Sequence, residues 1–216
     1  MNFFRKLFKK KNPENEMDQI LDNLFGKNDE DINLVVAFLN DKIMPIDRGE
    51  IYEDPLDKFL KENKIGEVLG AGTTQSPSGE LDWCNIDIQM YSDKIDKNNV
   101  QLIIDKLTEL GAPKGSRIVI DKTDERICFG KKEGLGIYLD GINLSKEVYE
   151  QYDSNIVLDK IKKLTKDNSN ATRYWQGKNE TALYFYSDSF DKMKDSIKEF
   201  VDEYPLCENA RIEQIA

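Results

Sequence analysis

TALYFYSDSFDKMKDSIKEFVDEYPLCENARIEQI (residues 181–215) and LDWCNIDIQMYSDKIDKNNVQLIIDKLTELGAPKGSRIVI (residues 81–120) are two versions of one pattern. Each runs strand, Tyr-Ser-Asp, amphipathic helix, turn, Arg-Ile strand. Tyr91-Ser92-Asp93 corresponds to Tyr186-Ser187-Asp188, and Arg117-Ile118 to Arg211-Ile212 at nearly the same offset. A pattern that recurs at this scale marks a repeated supersecondary unit, so the chain is expected to carry two copies in tandem.

Working outward, the strand 81–91 alternates. Cys84, Ile86, Ile88 and Met90 point one way, and Trp83, Asn85, Asp87, Gln89 and Tyr91 the other, the period-two signature of a half-buried antiparallel strand. A helix over 99–110 follows, with Val100, Ile103, Ile104, Leu107 and Leu110 on one face and Gly111 closing it, and then a strand over 117–120. Upstream, IGEVLGAGT (65–73) reads as a strand punctuated by glycine, with a turn over 75–79. Asp54-Pro55 reads as the start of a helix, N-cap followed by proline at the first helical position. Lys42–Ile46 is expected to be a short edge strand because of Pro45.

The second copy reads as a strand at 135–139, an irregular connection over 143–152, a helix over 155–166, strands at 171–176 and 181–186, a helix over 190–204 and a strand at 211–215. The order β-α-β-β-α-β is that of a ferredoxin-like unit. The expectation is therefore α+β, two ferredoxin-like units over 42–125 and 126–216, each with both helices on one face of an antiparallel sheet and the other face open. Ahead of them, Met17–Phe25 and Asp31–Leu39 carry apolar residues at helical spacing, so 17–41 is expected to be a helical segment. Residues 1–16 read as a basic tail.

Composition narrows function mainly by exclusion. The 216 residues contain no histidine, which removes histidine acid–base catalysis, Ser-His and Cys-His nucleophiles and HExxH zinc sites. Cys84, Cys128 and Cys207 are odd in number and lack CxxC spacing, so they read as reduced thiols. No apolar run approaches the ~20 residues of a membrane span, and the basic start is not followed by a signal-type apolar core. A cytoplasmic location is expected. Net charge is −10, with Arg5, Lys6, Lys9, Lys10 and Lys11 concentrated in residues 1–11. That leaves 26 cations against 41 carboxylates in the remaining chain. An acidic body repels nucleic acid and suits a basic protein surface, although acidity also simply favours solubility. In MNFFRKLFKKK, Phe3, Phe4, Leu7 and Phe8 share one helical side, which suits either contact with an anionic membrane surface or a frayed basic end.

The phrases PIDRGEIYEDPLDKFLKENKIGEVLGAGT (45–73), GAPKGSRI (111–118), EGLGIYLDG (133–141), EVYEQYD (147–153), ETALYFYS (180–187) and YPLCENARIEQIA (204–216) resemble a bacterial family of uncharacterised cytoplasmic proteins. The resemblance covers about residues 40–216. It implies the fold and a soluble location, and brings no activity and no catalytic residues.

Three constellations stand out. Gly70, Gly72 and Thr73 form a glycine-rich run whose freed N–H groups suit an anion, but it matches neither phosphate-binding fingerprint, and a bulged strand explains it equally. Glu67, Glu80, Asp82 and Asp87 are carboxylates near one hairpin, suited to Mg²⁺ or proton sharing, although Asp82 and Asp87 fall on opposite faces of a regular strand. Trp83, Asn85, Asp87, Gln89 and Tyr91, with Tyr184 and Tyr186, are the open-face set, fit for a seam between units, a partner or a ligand. No metal, no cofactor and no catalytic residue is expected. The function expected is a non-catalytic binding protein, immunity-type or inhibitory, that recognises a basic protein partner. The alternative is a small-molecule sensor with its pocket between the units, and a carboxylate/Mg²⁺ enzyme comes third.

Overall fold

A computed structural model describes residues 33–92 and 94–216. The expected basic tail, and the helix expected over Met17–Phe25, lie outside the described residues. In the first half, β1 (Asn33–Leu39) is followed by α1 (Pro45–Arg48), a π-helical turn (Gly49–Glu53) and α2 (Asp54–Glu62). Then come β2 (Gly66–Gln75), β3 (Leu81–Met90), α3 (Lys97–Glu109), β4 (Ser116–Ile120) and β5 (Glu125–Phe129). The second half holds β6 (Glu133–Asp140), α4 (Lys146–Gln151), α5 (Ser154–Thr165), β7 (Tyr174–Gln176), β8 (Glu180–Ser187), α6 (Phe190–Glu203) and β9 (Arg211–Gln214). The result is α+β, with two antiparallel sheets ordered β2-β3-β1-β4-β5 and β7-β8-β6-β9. Leaving β5 aside, both sheets place their strands in the same order: second, third, first, fourth.

The local causes are ordinary. Asp96 and Asp153 cap α3 and α5 by accepting from Asn98 N–H at 2.9 Å and Asn155 N–H at 2.8 Å. Ser189 caps α6. Gly111, at φ +100°, ends the α3 region in a left-handed conformation that costs glycine little. Leu56, Leu60, Val100, Ile103 and Leu107 of α2 and α3 pack on Val35, Ala37, Leu39, Cys84, Ile86 and Ile88. Val157, Ile161, Met193 and Ile197 of α5 and α6 pack on Leu135, Ile137, Leu183 and Phe185. Burying each Val, Leu, Ile, Met or Phe side chain among these contributes roughly 1.5–3 kcal/mol. In both halves the helices thus lie on one face of the sheet.

Four expectations need correction. Asn33–Leu39 is a strand, not the end of a helical segment. It lies between β3 and β4 and pairs with both, and its side chains are buried on both faces of the sheet, so it reads as a continuous apolar run. Such a run is indistinguishable from a buried helix by periodicity alone. The opening strand of the first half is therefore β1. Lys42–Met44 have no regular structure, and Pro45, set in the first helical turn, begins α1. Asp54 caps nothing: the helix already runs through the π turn, and the residue before it has helical dihedrals. Lys146–Gln151 is helical within the connection expected to be irregular. The strand β5 adds an edge strand beside β4 that no sequence pattern marks.

The glycine-punctuated strand β2 does bulge, its register to β3 shifting between Val68 and Gly70. The paired arginines hold equivalent places. Arg117 lies across from Phe38, its guanidinium 4.7 Å from the ring centroid, and Arg211 lies across from Tyr138 at 3.8 Å.

Candidate functional site

The open face of the second sheet carries Tyr138, Ala182, Tyr184 and Tyr186, all buried. Room for the tyrosines comes from glycine on the partner strand: Gly134 pairs with Tyr186, and Gly136 with Tyr184. A Cβ on Gly134 would stand 2.6 Å from Ile215 Cγ1 and 2.8 Å from Tyr186 Cε1.

Two pieces of the first half close over this face. The loop after β1 brings Asp41, whose carboxylate receives Arg173 Nε at 2.7 Å, Arg173 Nη2 at 2.9 Å and the Tyr52 hydroxyl at 2.8 Å. Arg173 in turn lies 5.0 Å from the Tyr186 ring centroid, and the Tyr186 hydroxyl accepts from Lys42 N–H at 3.0 Å. The hairpin between β2 and β3 brings Glu80, whose Oε1 accepts from Tyr184 at 2.7 Å, Tyr138 at 2.9 Å and Lys42 Nζ at 2.9 Å. Lys114 with Glu133 and Lys132 with Asp188 complete the polar border. Every buried side-chain nitrogen and oxygen among the described residues has a partner.

These contacts set the titration chemistry. Burial alone would raise the Glu80 carboxyl, but the hydrogen bonds from Lys42, Tyr184 and Tyr138 outweigh it and hold the group below the ordinary carboxylate range. Burial, then Glu80 itself, pushes the Tyr138 and Tyr184 phenols well above their ordinary value. Burial and the Asp41 charge do the same to Tyr52 and Tyr186. At neutral pH this face therefore holds a fixed anion and fixed phenol donors. None of these groups is poised to exchange a proton near pH 7. Burial also pushes the Cys84 thiol up, and the Cys207 thiol up to about 11, which argues against a nucleophilic thiolate at either.

The sequence-selected residues fall into separate places. Tyr184 and Tyr186 lie in the closed seam just described. Trp83, Asn85, Asp87 and Gln89 lie on the open face of the first sheet, and Tyr91 is exposed just beyond β3. Trp83 meets Phe38 edge-on at 5.1 Å, and Asn85 Nδ2 donates to Asp87 at 2.8 Å. Burial raises the Asp87 carboxyl, and the Asn85 bond only partly offsets it.

Gly70 and Gly72 stand across from Asp87 and Asn85, and a Cβ on Gly72 would meet Asn85 Oδ1 at 2.6 Å. The Gly72 carbonyl and the Thr73 hydroxyl both accept from Arg48 Nη1, so a cation of the protein itself sits at this run. The four hairpin carboxylates disperse as well. Glu80 enters the seam, Asp87 turns to Asn85, Asp82 is exposed, and Glu67 pairs with Gln89 at the far end of the hairpin. Among the described residues no group of three metal-ligating side chains converges.

Sequence reasoning missed Asp41, Lys42, Tyr52 and Arg173, three of which lie between elements where no periodicity points. A signal was present for the tyrosines: glycines two apart in EGLGIY match aromatics two apart in YFY on the paired strand.

An open cleft lies elsewhere, at the C-terminal end of β6. It encloses about 620 Å³, and its charged lining is Asp140, Glu150, Asp153 and Glu180 against Lys178. Tyr149, Tyr152 and Leu206 supply its apolar walls. Three of these acids have work inside the chain. Asp140 accepts from the Ile142 and Asn143 N–H groups, which holds its carboxyl below the usual range. Asp153 caps α5, and Glu180 pairs with Arg211. Glu150 has only an exposed intrahelical pair with Lys146.

No protein-family model and no curated protein matches the chain. Among solved structures, an unknown protein from Galdieria sulphuraria is 10% identical, covering 85% of this chain and 96% of its own, with a TM-score of 0.26. An anthrone oxidase-like protein is also 10% identical, covering 87% and 95%, with a TM-score of 0.25. Scores this low carry no argument about fold or chemistry. No helix among the described residues is long and apolar enough to cross a membrane.

Proposed function

We propose that the chain is a non-catalytic binding protein of two tandem ferredoxin-like units that recognises a basic protein partner. The shared strand order and the one-sided placement of helices support the two units. The observation that carries the partner reading is the open cleft at the end of β6, lined by Asp140, Glu150, Asp153 and Glu180 with Lys178, where Arg211 pairs Glu180 and Lys146 pairs Glu150, in a chain of net charge −10. A lysine- or arginine-bearing surface complements such a cleft and gains encounter rate from the field of the whole body. The small-molecule reading draws less support, because the aromatic face it needs is filled by Glu80, Lys42, Asp41 and Arg173. Capture of partners from native lysate at low and at high salt, compared between the wild type and Glu150→Lys, tests the proposal. A stoichiometric basic protein lost with salt and with the substitution is expected, and binding indifferent to both would overturn it.

A further inference from the structure

β7 is an edge strand of the second sheet, paired with β8 alone. The Tyr184 N–H donates to the Arg173 carbonyl at 3.0 Å, and the Gly177 N–H to the Glu180 carbonyl at 2.9 Å. In this register Arg173, Trp175 and Gly177 turn their backbone groups toward β8, and Tyr174 and Gln176 turn theirs away from it. Among the described residues no protein group pairs with those outward N–H and C=O groups. The edge strand β2 differs: its Val68 N–H donates to Asp57 at 3.0 Å, and its Gly72 carbonyl accepts from Arg48 at 2.8 Å. An edge without such cover is a template for another strand.

Beside this edge lies a hollow of about 240 Å³, between Thr172, Tyr174 and Gln176 on one side and Ser154, Asn155 and Leu158 of α5 on the other. Its strand wall thus includes the two residues whose backbone groups are free. It adjoins the cleft at the end of β6, with which it shares Ser154, Gln176 and Thr181. In that cleft the Asp140 and Asp153 carboxylates accept only from neutral N–H groups, so their charge is not cancelled by a cation of the chain. We propose that an extended segment of the basic partner adds as a strand to the outer edge of β7, placing an apolar side chain in the hollow and a lysine or arginine in the cleft. The proposal rests on the reading of the cleft as the partner site. Strand addition of this kind draws affinity from main-chain hydrogen bonds and specificity from pockets for alternate side chains. Side chains on one face of a strand recur every ~7 Å, so the apolar and basic residues stand two or four apart.

The test titrates the full chain with end-blocked hexapeptides of alternating valine and threonine that carry one lysine at either end, and follows backbone amide shifts. The Tyr174 and Gln176 amides are expected to shift together with those of Ser154 and Asn155. N-methylation of the peptide nitrogens that face β7 is expected to weaken binding about tenfold, and norleucine in place of lysine up to about fivefold. Gln176→Pro, which removes an N–H that β8 does not use, is expected to match the N-methyl loss while the other amide signals persist. Amides of the edge that no peptide shifts, or binding indifferent to N-methylation, would overturn the proposal. Shifts confined to the cleft and lost with norleucine would also overturn it, yet leave recognition of a basic partner standing. Edge shifts indifferent to norleucine would instead remove the cation from the cleft. The same shifts on concentrating the protein alone would make a second copy the occupant and contradict the assignment.

Discussion

Arg173 forks onto Asp41 across the two halves of the chain, Nε to Oδ1 at 2.7 Å and Nη2 to Oδ2 at 2.9 Å, with both side chains almost wholly buried. The pair sits where the loop after β1 meets the approach to β7. It joins residues 132 apart in sequence, so the halves are held by chemistry at their seam as well as by chain connection. Tyr52 satisfies Asp41 further, and the Ser169 hydroxyl accepts from Arg173 Nη1 at 2.9 Å.

Removing one member of a buried pair strands the other charge. Asp41→Ala or Arg173→Ala is expected to destabilise the chain by about 3–5 kcal/mol, whereas replacing both by apolar residues of similar volume costs much less. Urea unfolding of the two single variants and the double variant checks this. A single variant that costs no more than an exposed ion pair would show that the fork is not buried in solution.

Glu80 makes stability pH-dependent in a definite direction. Its folded carboxyl titrates lower than the unfolded one, so its contribution is fully present above the ordinary glutamate range and is lost as pH falls through the folded value. Urea midpoints measured from pH 7 down to pH 3 are expected to fall more steeply for the wild type than for Glu80→Gln. Parallel curves would remove Glu80 from the account of the seam.

Asp87 has the opposite sign. Burial raises its carboxyl, so the folded state binds the proton more tightly and stability declines as pH rises through the window between the unfolded and folded values. Asp87→Asn is therefore expected to equal or exceed the wild type in stability at pH 7 and to converge with it in acid. A loss at pH 7 that persists at low pH would contradict this.

Gly134 is tested sterically. The ring that its Cβ would meet belongs to Tyr186, which is pinned by Lys42 N–H and by Arg173, while Ile215 lies near the chain end and yields more easily. Overpacking of this kind costs about 1–3 kcal/mol. Gly134→Ala is expected to lower the thermal midpoint, and a neutral result would mean that the tyrosine face is looser than described.

Much of the fold could be read from local pattern. Alternation in 81–91, the stripes of α3 and α6, and the matching Arg117 and Arg211 all reflect forces acting within one element or one strand pair. β1 escapes such a reading because a strand buried on both faces loses its alternation, and its apolar residues then mimic helical spacing. The seam was hidden for a different reason. Asp41, Lys42 and Arg173 lie in connections, and only the three-dimensional closure of hairpin and loop over the tyrosines gives them partners. Alternation places Trp83, Asn85, Asp87 and Gln89 together on one face of β3, but nothing local to β3 tells that Tyr184 and Tyr186 are closed over by other residues.

The central claim is recognition of a basic partner through the β6-end cleft. Its most direct test is the affinity of the captured partner for three proteins: the wild type, Glu150→Lys in the cleft, and Glu199→Lys on the exposed side of α6. The account predicts weaker and slower association for Glu150→Lys, near wild-type binding for Glu199→Lys, and a shared decline with salt. Equal losses for the two variants, or none for either, would place recognition outside the cleft and contradict the account.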